Sequence, residues 1–238
     1  MTIKPMIFSG PMIRALLDGR KSQTRRILKP QPEQNSAGLW VYPPYSHKIT
    51  KKNWHGFCQA DEEGLRRFAT RHAPYQSGDL LWCREAWRPQ MDKDLWCCVE
   101  YRADGSRIKP KIKDDNMGEC FAAQCHAVDP DLRKHGIEPE PLRWRPPIHM
   151  PKWASRLTLR VTGVRVERVQ DINGDALREE GLDIPPGPPL SPRETEYWRP
   201  AFADLWNSIH GPDAWSRNDW VAAVSFLPIL KNVDEVTA

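Results

Sequence analysis

The sequence predicts an α+β protein built on a small mixed β-barrel with flanking helices. About six short segments carry strand patterning, and three amphipathic helical segments interrupt them without a regular βαβ rhythm. That order argues against a doubly wound parallel sheet. The clearest strand, within Arg156–Val169, alternates Leu157, Leu159 and Val161 with Thr158, Arg160 and Thr162, the period of a half-buried strand. A chain of 238 residues with 39% hydrophobic and 28% charged residues can bury a sizeable core and is unlike a disordered one.

Taken in order, Lys4–Phe8 reads as a strand. Ser9 and Pro11 then start a helix through Met12, Ile13, Leu16 and Leu17, which Asp18-Gly19 ends because glycine readily takes the left-handed backbone of a helix C-terminus. A second strand is expected over Ser22–Leu28. Residues 29–77 are rich in Pro, Asn, His and Gly and read as an insertion with one short helix at Asp61–Arg71. Leu80–Arg84 and Leu95–Tyr101 read as two strands of a hairpin. Residues 104–147 lose periodicity again and form a second insertion. Asp171 and Asn173 cap a helix that ends at Gly181, and Ser191-Pro192-Arg193-Glu194 opens the longest helix as a capping box, running to Gly211. Asp219–Leu227 closes the fold as a strand. One domain is expected over residues 1–228, with a polar, fraying tail at 229–238.

Net charge is +4, distributed unevenly: residues 1–52 hold ten lysines and arginines against Asp18 and Glu33, a local +8, so the remainder carries −4. A concentrated basic segment is the footprint of a phosphate-bearing partner as well as of a solvated face. Eleven tryptophans suit either a core or a base-stacking platform. Six cysteines without a CxxC pair, in a chain that opens without a secretory signal pattern, are expected to be reduced thiols in a cytoplasmic protein. Cys120-x4-Cys125-His126 lacks a second ligand pair at zinc-like spacing, so neither metal nor cofactor is expected. No apolar run is long enough to span a bilayer, so no membrane partner is expected.

The common catalytic signatures GxGxxG, GxxxxGK[ST], HExxH and GxSxG are absent. What stands out instead is Gly19-x-Lys21-x-x-Thr24-x-Arg26 at the helix-to-strand turn, Gly78-Asp79-x-Leu81-x-x-x-Glu85 at the next strand, and Glu179-Glu180-Gly181 at a helix end. These segments, with the late aromatic helix and the strand after it, resemble in order the ASCH domain, a β-barrel related to the PUA domains of RNA-modifying proteins. The runs Tyr75–Asp79, Trp82–Trp87 and Ile148–Arg156 look more narrowly like an ASCH-like group found in bacteriophages and prophages.

Some ASCH proteins, the small bacterial N4-acetylcytidine amidohydrolases, use a Lys and a Thr of the signature run and a Glu of the helix end. The resemblance therefore implies Lys21, Thr24 and Glu180 as catalytic residues of a metal-independent amidohydrolase acting on an N4-acylated cytosine base or nucleoside. A desolvated lysine is a usable base, a hydroxyl or water a nucleophile, and a carboxyl group a proton carrier to the leaving amine. Arg26, Glu85, Trp82, Trp87, His149 and Arg156 are candidates for substrate or nucleic-acid contact, Arg26 to phosphate or carbonyl oxygen, Trp82 and Trp87 by stacking. Glu85 also reads as orienting an arginine such as Arg84 or Arg26. The expected partner is nucleic acid, RNA ahead of DNA, or a modified nucleoside. The same fold also serves as a non-catalytic RNA- or DNA-binding module and, in some ASCH proteins, as a ribonuclease, and the sequence leaves these open. An ion pair between Lys21 and Glu180, with Thr24 satisfying the turn, is the purely architectural reading.

Overall fold

A computed structural model describes residues 1–42, 58–91, 97–109 and 143–237. In chain order they form β1 (Ile3–Ile7), α1 (Gly10–Leu17), β2 (Gln23–Ile27), β3 (Glu33–Gln34), β4 (Trp40–Tyr42), β5 (Cys58–Ala60), α2 (Glu62–Arg71), β6 (Leu80–Arg84), β7 (Trp87–Met91), β8 (Cys97–Tyr101) and β9 (Arg107–Ile108). They continue with β10 (Thr158–Arg168), α3 (Gly174–Glu179), α4 (Pro192–His210), β11 (Trp220–Ile229) and α5 (Val233–Val236). The protein is thus of the mixed α+β class that the patterning predicts. Its chain divides into two compact units, one of Met1–Thr2, Asp18–Asp79 and Arg160–Pro228, the other of Ile3–Leu17, Leu80–Leu159 and Ile229–Ala238.

In the first unit the strand order is β10-β11-β2, with β11 antiparallel to β2 so that Val221 faces Ile27 and Ser225 faces Gln23. The insertion contributes a separate sheet, β3-β4-β5, whose short strands the sequence pattern does not single out, because two or three residues are too few to show a period. Its one expected helix is α2, capped by Asp61, whose side chain accepts from the Gly64 N–H at 2.8 Å. Helices α3 and α4 bury Ala176, Leu177, Phe202 and Trp206 against Val169, Ile172 and Val221. The capping box is present: Ser191 Oγ accepts from the Glu194 N–H, and the Glu194 carboxylate accepts from the Ser191 N–H.

In the second unit β1 runs parallel to β6, Ile3 facing Leu80 and Ile7 facing Arg84. The hairpin expected between Leu80–Arg84 and Leu95–Tyr101 is not formed. The strand β8 instead pairs antiparallel with β7, Trp87 opposite Tyr101 and Met91 opposite Cys97. Apolar runs identify strands but not partners, and β7, interrupted by Pro89, shows no clean alternation. A core of Trp87, Val99, Tyr101, Met150 and Ala154 backs this sheet. Among the described residues the sheets are open and none closes on itself.

The chain beyond Pro228, expected to fray, is instead tied down within the second unit. Asn232 Oδ1 caps α5 by accepting from the Asp234 N–H at 2.9 Å, and its amide nitrogen donates to the carbonyls of Lys152, Trp153 and Ser155 at 2.9, 3.2 and 2.7 Å. Val233 is fully buried beside Leu80 and Trp82. One polar side chain thereby satisfies a helix start and a turn that the sequence pattern does not connect. Asn232→Ala is expected to destabilise the protein by about 1–3 kcal/mol in urea unfolding; a change within error would return this segment to a loose tail.

Candidate functional site

Gly19, at φ +71°, turns the chain after α1 and aims Lys21 inward. On β2, Gln23 and Arg25 project to the same face, as alternate strand residues must. That face meets the end of α3. The Lys21 ammonium donates to Glu180 Oε2 at 2.9 Å and to the Glu180 carbonyl at 2.7 Å, the latter one of the carbonyls that a helix end leaves without an intrahelical partner. Glu180 is the residue at which α3 stops, followed by Gly181 at φ +88°. Its second oxygen, Oε1, accepts from Arg25 at 2.9 Å.

The network continues inside the same unit. Arg25 donates to Glu167 Oε1 on β10 at 2.6 Å, and Glu167 Oε2 accepts from Arg165 at 2.6 Å. Arg165 donates to Gln23 Oε1 at 3.1 Å, and Gln23 returns to the helix end by donating to Glu179 at 2.9 Å. Lys21, Arg25 and Glu180 are 1%, 3% and 5% exposed, so each charge has exchanged water for protein partners. Burial pushes the Lys21 ammonium below the usual lysine range; the facing Glu180 carboxylate pulls the other way and is outweighed, while Arg26 and Arg25 add to the lowering.

Of the three residues implied as catalytic, Lys21 and Glu180 therefore meet. Thr24 is buried on β2, but its parity sends it to the opposite face from Gln23 and Arg25, and its hydroxyl forms no hydrogen bond with either partner. Arg26 shares that parity. Arg25 and Glu167, which complete the network, are not among the sequence candidates. The signal for Arg25 lies in the run itself, since it is two residues from Gln23 and four from Lys21 on one side of an extended chain.

The remaining candidates lie in the second unit. Glu85 is held by Arg156, not by Arg84 or Arg26, through two parallel bonds of 2.8 Å each. Arg156 also donates to Asp104 at 2.8 Å and covers the Tyr101 ring at 4.1 Å. Burial pushes the Glu85 carboxyl up, whereas the pairing raises Arg156; the bidentate geometry decides for the charged pair. Arg156 is thus committed to an internal fork. Trp82 packs with Leu80 and Val233, and Trp87 is 1% exposed in the core against Trp153. Neither presents an open stacking face. His149 sits exposed in a short 3-10 turn, Pro147–His149.

The basic excess of residues 1–52 is spent partly inside the protein, on Lys21 and Arg25, and partly on Arg14 donating to the Ala103 carbonyl and Arg20 pairing with Asp18. Lys48, Lys51 and Lys52, and the Cys120–Cys125–His126 set, lie outside the described residues. Among the described residues no three His, Cys, Asp or Glu side chains are placed to hold a metal ion, and no helix is long and apolar enough to cross a membrane. No protein-family model, curated protein or solved structure matches the chain.

The energetic weight of the pair separates it from surface pairs. Lys21→Met leaves the Glu180 carboxylate buried with one cation fewer and is expected to destabilise by roughly 3–5 kcal/mol. Arg20→Met, which breaks a pair 37% and 55% exposed, should cost under about 1 kcal/mol. Equal losses in chemical denaturation would show that the buried pair holds nothing together.

Proposed function

We propose that the protein is a nucleoside- or nucleic-acid-directed protein of the ASCH, PUA-like kind, acting as a metal-independent amidohydrolase on an N4-acylated cytosine. The observation that supports this is the buried Lys21–Glu180 hydrogen bond of 2.9 Å on an ammonium whose proton affinity burial has reduced. Moving one proton across that bond converts the ion pair into a neutral amine and a neutral carboxylic acid. These are the base and the acid that amide hydrolysis needs. The amine takes a proton from water as the water oxygen bonds to the acyl carbon. The C–N4 bond then breaks, and the Glu180 carboxyl gives its proton to N4. The products are the free cytosine amine and a carboxylic acid, and the ion pair is restored. Thr24 is assigned no part in this scheme, because its hydroxyl makes no hydrogen bond to Lys21 or Glu180.

A second reading, a non-catalytic nucleic-acid-binding module, is favoured by one specific observation: both Glu180 oxygens are already occupied, Oε2 by Lys21 and Oε1 by Arg25. A ribonuclease has no separate support. The test is a panel of N4-acylated cytosines, offered as bases, nucleosides and oligonucleotides, with free cytosine product read by mass. Turnover is expected from the wild type and is expected to vanish in Lys21→Arg, because a guanidinium keeps the charge but is not deprotonated near neutral pH. No product from any wild-type reaction, or an active Lys21→Arg variant with a normal circular dichroism spectrum, overturns the hydrolase.

A further inference from the structure

A groove of about 610 Å³ lies within the first unit, between α2 and β10. Four arginines line it: Arg66, Arg67 and Arg71 from α2 and Arg165 from β10, against Glu63 and Glu167. Their freedom differs. Arg66 is fixed between Glu62 and Asp171, at 2.7 Å from each. Arg67 is 74% exposed and touches Glu63 only at 3.8 Å, and among the described residues Arg71 has no carboxylate partner. Arg67 and Arg71 stand one helical turn apart, about 6 Å along the axis, and so form a row of available cations on one helix face. The helix they stand on is packed and hydrogen-bonded into the unit. Leu65 and Ala69 are fully buried, the Val166 N–H donates to Thr70 Oγ1 at 3.0 Å, and the Gln76 amide donates to the Ala73 carbonyl at 3.0 Å just past the helix end.

We infer that this groove takes the phosphodiester backbone of a nucleic-acid strand. A guanidinium matches the planar, bidentate geometry of a phosphate, and a row of them tracks a repeating anion without reading bases. Arg165 shares Glu167 with Arg25, which in turn holds Glu180. The groove and the Lys21 pair are therefore two ends of one hydrogen-bonded network. This inference rests on the nucleic-acid reading above but not on its hydrolytic chemistry.

The test is fluorescence anisotropy with a fluorescein-labelled single-stranded RNA of about 20 nucleotides across a salt series. Arg67→Ala/Arg71→Ala is expected to weaken binding at least about tenfold near 0.1 M salt and to reduce the salt slope by about 1.4, two single-strand phosphates' worth. Alanine favours helix, so α2 is retained, which circular dichroism checks. Glu63→Gln removes the groove's exposed anion and should tighten binding. Hydrolysis of free N4-acetylcytidine by the double variant should match the wild type, which keeps this test apart from the hydrolase test. An unchanged salt slope in the double variant, no RNA binding by the wild type, or displacement of the RNA by inorganic phosphate at equal phosphate concentration each overturns the groove.

Discussion

The Glu180 carboxylate sits where an unpaired charge would be costly, and the first unit is organised around satisfying it. Taking an ion out of water costs several kcal/mol even after the protein relaxes. The two cations that repay this come from one short segment, Lys21 from the turn after α1 and Arg25 from β2. Glu167 on β10 then balances Arg25, and Arg165 balances Glu167. Four pieces of chain distant in sequence are thereby held in one register: the Gly19 turn, β2, the end of α3 and β10. A slip of β2 by one residue would send Gln23 and Arg25 to the opposite face and leave both Glu180 and Glu167 without them.

The second unit follows the same logic with different groups. Arg156, just ahead of β10, forks onto Glu85 and reaches Asp104, fixing the chain after β6 and the turn after β8. Asn232 gathers three carbonyls of the 152–155 turn. In both units an arginine or asparagine with several donors in a fixed plane organises loops that hydrophobic packing alone would leave undetermined. This economy also bears on function. A side chain saturated by internal partners, as Arg156 and both Glu180 oxygens are, offers little to a ligand until a partner moves. Cations left with weak or no internal partners, as on α2, offer more.

What the sequence by itself determined is what depends on neighbours along the chain. The helix starts and stops are of this kind: Ser191 with Glu194, the end of α1 at Gly19, and the end of α3 at Gly181 all follow from capping chemistry that acts over three or four residues. So are the long alternating strand β10 and the α+β class. The set Lys21, Thr24 and Glu180 is implied only by the resemblance to the ASCH signature, and of its members Lys21 and Glu180 are in contact. Tertiary structure decided everything that requires knowing which distant residue arrives opposite. It chose β7 over β6 as the partner of β8, Arg156 over Arg84 or Arg26 as the partner of Glu85, and Arg25 over Thr24 as the third member at Glu180. It gave the segment after Pro228 a buried anchor. The reason is physical: periodicity and capping are local and set by backbone geometry, whereas ion-pair choice and strand pairing are selected by desolvation, and the cost of burying a charge depends on the three-dimensional partners that a linear pattern does not encode.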